Sequence, residues 1–391
     1  MVEKQKDNTA HPRGWSPELM KQMDIKVWSY LEEYEKEKEE ILEAIKNVLE
    51  SGQLILGKHV TKFEHDFSKY CDCLFGIGVN SCTDALALSL QALDVQSGDE
   101  VITVANTAVP TVAAISSIGA IPKFVDIHPD NYLMDVSKVE KVISKKTKAI
   151  IPVHLFGQCV DMDPLLNIAK KNNLKIVEDC AQAHGAMYKG RKAGSIGDFG
   201  AFSFYPTKVL GTYGDGGMIT TNNEALAKRV MGLRMYGMQG SYSSLEPGRN
   251  SRLDEIHAAI LLKKFNHLGD YISKRKKLAD RYDLLLKGTS LKLPKVVEGN
   301  RHIYYVYVVR HPKRDEIMAK LKERGIFVNV SYEWPIHTMK GYSYLGYKEG
   351  DLPESEVACR EIFSLPMYPE LTFEQQDKVV KILKDILEDI G

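Results

Sequence analysis

The sequence predicts an α/β protein: a large domain on a mostly parallel seven-stranded sheet, followed by a smaller C-terminal α+β domain. Three observations carry this. Short apolar runs alternate with helical stretches over the first two-thirds of the chain. Some runs, such as AIIPV, are apolar without interruption, as strands covered on both faces are. After about residue 265 the pattern changes to charged helices around few strands.

The elements follow in order. Residues 1–24 read as a polar N-terminal arm, which Trp15 and Trp28 would pin to a partner subunit. A helix is predicted over Leu31–Leu49, with Leu31, Tyr34, Ile41, Ile45, Val48 and Leu49 on one face, stopped at Ser51-Gly52. The charges of Glu32–Glu40 then form its solvated face. Strands are predicted at Leu74–Val79, Val101–Val104, Ile121–Asp126, Ala149–His154, Leu174–Glu178, Gly200–Phe204 and Gly217–Thr220, with helices such as Thr83–Leu93 and Pro164–Asn172 between them. Val101–Pro122 has no charge and the length of a membrane span, but its Asn, Pro, Thr and Ser residues favour a buried strand and helix. Residues 25–265 make the large domain and 266–391 the small one. The latter holds a helix at Ile272–Leu286, a strand at 302–310 and a helix at Asp315–Arg324. A short strand near Ile326–Val330 and a final helix opened by a Thr372–Gln375 capping box complete it.

Composition excludes several classes. The chain has 391 residues, with Lys+Arg 52 against Asp+Glu 52. Zero net charge argues against a nucleic-acid partner held by phosphate neutralisation and favours an oligomer. Six cysteines without a CxxC pair suit neither a zinc site nor a disulfide framework. No metal is expected. The opening MVEKQKDNTAHPRGW has no apolar core, so a cytoplasmic protein is expected, without a membrane partner.

Ligands of open α/β sheets bind beyond the carboxyl ends of the strands. Ser81, Cys82 and Thr83 follow the first strand and open a helix, where free N–H groups suit a phosphate; a plain N-cap needs the same residues. Asp179 ends a buried strand and must pair with something, a ligand or an ordinary cap or salt bridge. Lys208 sits between the strand AFSF and the loop GTYGDGG, where partial desolvation would free its amine for a Schiff base; a surface lysine is the plainer reading. A phosphate cradle, an acid and a lysine together are what a pyridoxal phosphate site needs.

The runs EDCAQAHGA (178–186), GDFGAFSFYPTKVLGTYGDGGMI (197–219) and GRNSRLDEIHAAIL (248–261) resemble the DegT/DnrJ/EryC1/StrS sugar aminotransferase family, over roughly residues 30–390. The resemblance implies the fold of PLP-dependent transferases of fold type I. It implies pyridoxal 5'-phosphate as cofactor, passing through pyridoxamine 5'-phosphate in turnover. Lys208 matches the Schiff-base lysine and Asp179 the partner of the pyridine nitrogen. Gln182 matches a residue near the ring's phenolic oxygen, Ser203 and Thr83 phosphate contacts, and Asn250 a phosphate ligand from the neighbouring subunit of a homodimer. His154, Tyr332 and His337 resemble positions lining the sugar end; Arg234, Tyr236, Lys192 and Arg252 are candidates near the nucleotide. Cys82 stands where the family usually has Gly, which puts the phosphate donors at 81–83 in question. Relatives with His for the lysine are dehydratases; this chain keeps Lys208.

The implied reaction moves an amino group from L-glutamate to a nucleotide-linked ketosugar. Tyr205-Pro206-Thr207-Lys208 and Tyr213-Gly214-Asp215-Gly216-Gly217 resemble members acting at C3, pointing to a dTDP-linked 3-keto-6-deoxyhexose. A 4-ketosugar or ketocyclitol is also compatible. An NAD-dependent dehydrogenase has only GIGVNS in its favour, which lacks the last residue of the dinucleotide fingerprint. A non-enzymatic regulator would need a DNA-binding segment or a lost lysine.

Overall fold

The computed structural model describes residues 24–238, 240 and 242–390. The arm before Asp24, Trp15 included, lies outside them.

Seven strands form the central sheet: β1 (Phe75–Val79), β2 (Glu100–Val104), β3 (Ile121–Val125), β4 (Thr147–Ile150), β5 (Lys175–Asp179), β6 (Phe199–Ser203) and β7 (Gly217–Thr221), in the order β1-β7-β6-β5-β4-β2-β3. β7 runs antiparallel to both β1 and β6; the other pairings are parallel. All seven predicted strands are present. β4 is shorter than the predicted Ala149–His154: after Ile150 the chain bends, and only Val153 rejoins the sheet, as a single bridge to Asp179.

Side chains alternate across the sheet with period two. Phe199 and Ala201 of β6 join one core with Leu86 and Ile219, while Phe202 and Phe204 join another with Phe63, Phe67 and Met218. Helices cover both faces: α1 (Leu31–Ser51), α2 (Lys58–Tyr70), α3 (Cys82–Ala92), α4 (Val109–Ser117), α5 (Met162–Lys171), α6 (Glu224–Leu233) and α7 (Glu255–Phe265). The apolar run at 101–122 is thus β2, α4 and the start of β3, and no described helix is long and apolar enough to cross a membrane.

In α1 the buried face is Glu37, Ile41, Ala44 and Val48, whereas Leu31 and Leu49 are exposed. The predicted solvated run is corrected at two places. Glu33 pairs with the buried amine of Lys264 on α7, and Glu37 accepts from the Tyr271 hydroxyl. An amphipathic reading assigns every Glu to water; here a cation from a distant helix draws two of them inward.

The later chain contributes α8 (Leu268–Leu285), β8 (Tyr307–Arg310), α9 (Arg314–Glu323), α10 (Pro353–Glu361), β9 (Ile362–Leu365) and α11 (Phe373–Ile390). A separate core gathers Ile25 with residues from Leu278 to Ile390. The capping box is present: the Thr372 hydroxyl accepts from the Gln375 N–H at 3.1 Å, and the Gln375 amide oxygen from the Thr372 N–H at 3.0 Å. Two predicted strands are corrected. Ile326–Val330 makes only single bridges, Ile25 to Ile326 and Asn329 to Ser364. Of 302–310 only Tyr307–Arg310 pairs as a strand, because the Ile303 and Tyr305 N–H groups bond instead to the carbonyls of Gly157 and Phe156. That detour brings the Tyr305 ring under the Lys208 ammonium.

Candidate active site

The carboxyl edges of β1, β5 and β6 converge. Asp179 ends β5, Ser203 ends β6, and register places Val79 and Ser203 on either side of Gly217, the first residue of β7. α3 begins just past β1. Its cap is Ser81, whose hydroxyl accepts from the Asp84 N–H at 3.1 Å. The first-turn N–H groups of Cys82 and Thr83 have no carbonyl a turn earlier within the helix and stay available to an anion. The Cys82 side chain turns into the sheet, its thiol 3.5 Å from the Ala201 carbonyl, so it does not stand in place of the missing glycine's open space. Gly217 permits this packing: a Cβ there would sit 2.4 Å from the Ser81 carbonyl carbon and 2.8 Å from the Cys82 nitrogen.

Asp179 is buried. Its Oδ2 accepts from the Thr111 hydroxyl at 2.8 Å and its Oδ1 from the Ala181 N–H at 3.1 Å. Burial pushes the carboxyl above the ordinary carboxylate range, while Thr111, Ala181, Lys208 and His154 pull it back. Cys82 lies in the same neighbourhood: burial raises its thiol, the Asp179 charge raises it further, and Lys208 opposes them.

Lys208 is half-buried, as a lysine between an apolar strand and a glycine loop should be. Its ammonium lies over the Tyr305 ring, 4.8 Å from the centroid, and the Tyr305 hydroxyl shares a 3.1 Å hydrogen bond with Thr207. Gln182 is buried; its amide oxygen accepts from the Phe156 N–H at 2.7 Å and its amide nitrogen donates to the Tyr332 hydroxyl. Phe156 adopts φ +61°, a left-handed conformation that a bulky residue holds only under constraint, and its ring stacks on Tyr332. Gln182 and Tyr332 therefore meet, although the resemblance assigned them to different ends of the site.

Other expected site residues are committed to protein partners or lie away from this edge. The His154 ring is buried, with Nε2 bonded to Glu178 at 2.8 Å and Nδ1 accepting from the Val160 N–H at 3.2 Å, so neither ring nitrogen is left for a sugar. Glu178 also accepts from the N–H groups of Gly194, Ile196 and Gly197. His154, Glu178 and Cys180 converge closely enough to invite a metal, but these bonds engage the carboxylate and imidazole, and burial keeps the thiol protonated. His337 is likewise buried, bonded to Glu356 at 3.0 Å beside Phe124 and Tyr347. Among the nucleotide candidates, Arg234 is spent on Glu64 and the Gly78 carbonyl, and Lys192 on the Tyr70 carbonyl and ring. Tyr236 is exposed, and Arg252 reaches the Met235 sulfur at 3.6 Å. Asn250 is exposed next to its backbone bridge with Met235.

Thr111 and Tyr305 were missed. Thr111 lies in the first turn of α4, the helix that follows β2, and the residues directly after the strand end did not point to it. Tyr305 carried no signal either, sitting in an apparent strand.

The donors fit pyridoxal phosphate: a helix start with open N–H groups beside the Thr83 and Ser203 hydroxyls for the phosphate, and a buried carboxylate bonded to the neutral donors Thr111 and Ala181 for a protonated ring nitrogen. A lysine amine at the same sheet edge completes the set. A doubly covered sheet with this arrangement suits a pyridoxal phosphate-dependent enzyme, and the reaction class follows from its relatives. The DegT/DnrJ/EryC1/StrS aminotransferase family model matches residues 35–384, and the chain belongs to that family.

The chain is 49% identical, over 93% of its length and 99% of the relative's, to a dTDP-3-amino-3,4,6-trideoxy-alpha-D-glucose transaminase of Micromonospora megalomicea subsp. nigra. It is 46% identical, over 92% of the chain and 97% of the relative, to a protein of Geobacillus stearothermophilus named a pleiotropic regulatory protein. Among solved structures it resembles S. venezuelae DesV in complex with a ketimine intermediate, with TM-score 0.91, 39% identity, and coverage of 93% of this chain and 98% of that one. It also resembles NtdA of Bacillus subtilis with bound cofactor PMP, with TM-score 0.85, 33% identity, and coverage of 90% and 82%.

Proposed function

We propose that the protein is a pyridoxal phosphate-dependent aminotransferase that moves an amino group from L-glutamate to a nucleotide-linked ketosugar. The carrying observation is the meeting of Asp179, Lys208 and the start of α3 at one sheet edge. The 49% identity to a dTDP-3-aminosugar transaminase supports a dTDP-linked 3-keto-6-deoxyhexose as acceptor, giving the dTDP-linked 3-amino-3,6-dideoxyhexose.

In this reading the Cys82 and Thr83 N–H groups and the Thr83 and Ser203 hydroxyls would hold the cofactor's phosphate. Asp179 holds a proton on the ring nitrogen. The bound cofactor supplies an electron sink that acidifies the donor's α-carbon. Lys208 Nζ takes the proton from that carbon and delivers it again, as general base and then acid. The Tyr305 ring borders its amine, and Gln182, tied to Tyr332 and Phe156, would stand near the cofactor ring's oxygen. Asn250, exposed on this subunit, serves the partner's phosphate in a homodimer. Six free, buried thiols favour a reducing compartment, the cytoplasm.

The test is spectroscopic. Wild-type protein should show a visible cofactor band that L-glutamate bleaches, and Lys208→Ala should lose both the band and turnover. With a dTDP-linked 3-ketosugar, glutamate should yield an amine at C3. No band after adding the cofactor would overturn the assignment; amination of a 4-ketosugar alone would overturn the choice of acceptor.

A further inference from the structure

Asp179 does not stand alone. Thr107 and Thr111 are both buried, and their hydroxyls lie 3.1 Å apart. A hydroxyl has one proton. Thr111 spends its proton on the Asp179 carboxylate, so it must accept from Thr107. The chain therefore has one direction: Thr107 donates to Thr111, and Thr111 donates to Asp179 Oδ2.

We propose that Thr111 is a positioning residue for the reaction, fixing the Asp179 carboxylate in orientation and in its ionised state, with Thr107 setting the direction of the Thr111 hydroxyl. The inference rests on the reading that Asp179 pairs with the cofactor's ring nitrogen. A carboxylate buried at this depth loses the solvation that keeps it charged, and hydrogen bonds to the charged form restore it. The Ala181 N–H orients Oδ1, and the Thr111 hydroxyl orients Oδ2. Together they fix the carboxylate plane, leaving the remaining lone pairs to the ligand. The titratable groups facing Asp179 from the packed elements are Lys208 after β6, His154 after β4, Cys82 at the start of α3 and the adjoining Cys180. His154 already gives a ring nitrogen to Glu178, and the two thiols are held protonated by burial. Among the described residues, Thr111 is thus a side-chain hydrogen-bond donor to Asp179.

The test uses the full chain loaded with pyridoxal phosphate, as Thr111→Val, Thr111→Ser, Thr107→Val and Asp179→Asn. Cofactor affinity is read from the visible band, together with the pH at which affinity is lost on acidification. Thr111→Val should bind the cofactor roughly ten- to a hundredfold more weakly, the range for a hydrogen bond to a charged group. Its acid limb should move to higher pH, because the unaided carboxylate takes its proton sooner. Thr111→Ser should restore both, and Thr107→Val should shift both less, in the same direction. A merely structural threonine would lower the melting temperature without moving the acid limb. Wild-type affinity and limb in Thr111→Val, with Asp179→Asn impaired, would overturn the inference alone. Wild-type behaviour in Asp179→Asn would overturn the reading beneath it. Should Thr111→Val not fold, an unshifted limb in Thr107→Val decides against the proposal.

Discussion

His184 packs among Phe67, Phe202 and Phe204, on the sheet face opposite α3, the helix proposed to cradle the phosphate. Burial, aided by the Lys208 charge, pushes its imidazole down to about 3, and burial alone does the same to His302. Both are neutral when folded and free to take a proton when unfolded. Between about 6.5 and about 3 the unfolded chain therefore binds more protons, so stability falls as pH falls through that window. Each ring contributes a slope of about 1.4 kcal/mol per pH unit. His184→Phe, which keeps the aromatic packing, should make acid destabilisation shallower by that amount; urea unfolding at neutral and mildly acid pH measures it. At this scale the sequence was readable where chemistry is local. Asp179 and Lys208 follow strand ends that the apolar pattern marks. His154 and His337 were not readable, because their partners Glu178 and Glu356 lie 24 and 19 residues away and turn each ring inward.

Elements decide how closely groups approach. Gly217 lets the first residue of β7 pass against the Ser81–Cys82 peptide, where any Cβ would overlap backbone atoms. Gly217→Ala should displace the start of α3. The expected outcome is at least tenfold weaker cofactor binding, since an aligned helix start is what offers N–H groups to phosphate, with a smaller fall in melting temperature. Equal affinity would show that the cradle is not where we place it. Strand periodicity revealed β1 to β7 because buried strands are short and apolar. It failed at 302–306, whose apolar residues read as strand but whose N–H groups bond to the 156–157 loop. That difference is invisible in a local window.

The whole molecule joins these parts across long separations. Arg275 on α8 is buried, and one of its nitrogens donates to the carbonyls of Tyr305 and Met367, both at 3.0 Å, and of Tyr304. It thereby fixes the segment that delivers Tyr305 to Lys208. Assembly is testable by mixing subunits. If Asn250 completes the partner's site, Lys208→Ala and Asn250→Ala are each impaired alone. Their heterodimer then holds one intact site, and a random mixture should recover about a quarter of wild-type activity. No recovery, with heterodimers demonstrated, would place Asn250 within its own subunit's site.

The sequence by itself determined the sheet, the family and the two residues of the reading that need only a strand end to place them. Hydrophobic period and glycine-rich turns are local signals, and three separated motifs in order carry the family. The tertiary structure alone decided which polar residues face the site. It set Thr111 against Asp179 across 68 residues and Tyr305 over Lys208 across 97, and it withdrew His154 and His337 into the interior. A side chain's role depends on which distant group meets its lone pairs and protons, and chain order does not encode that meeting.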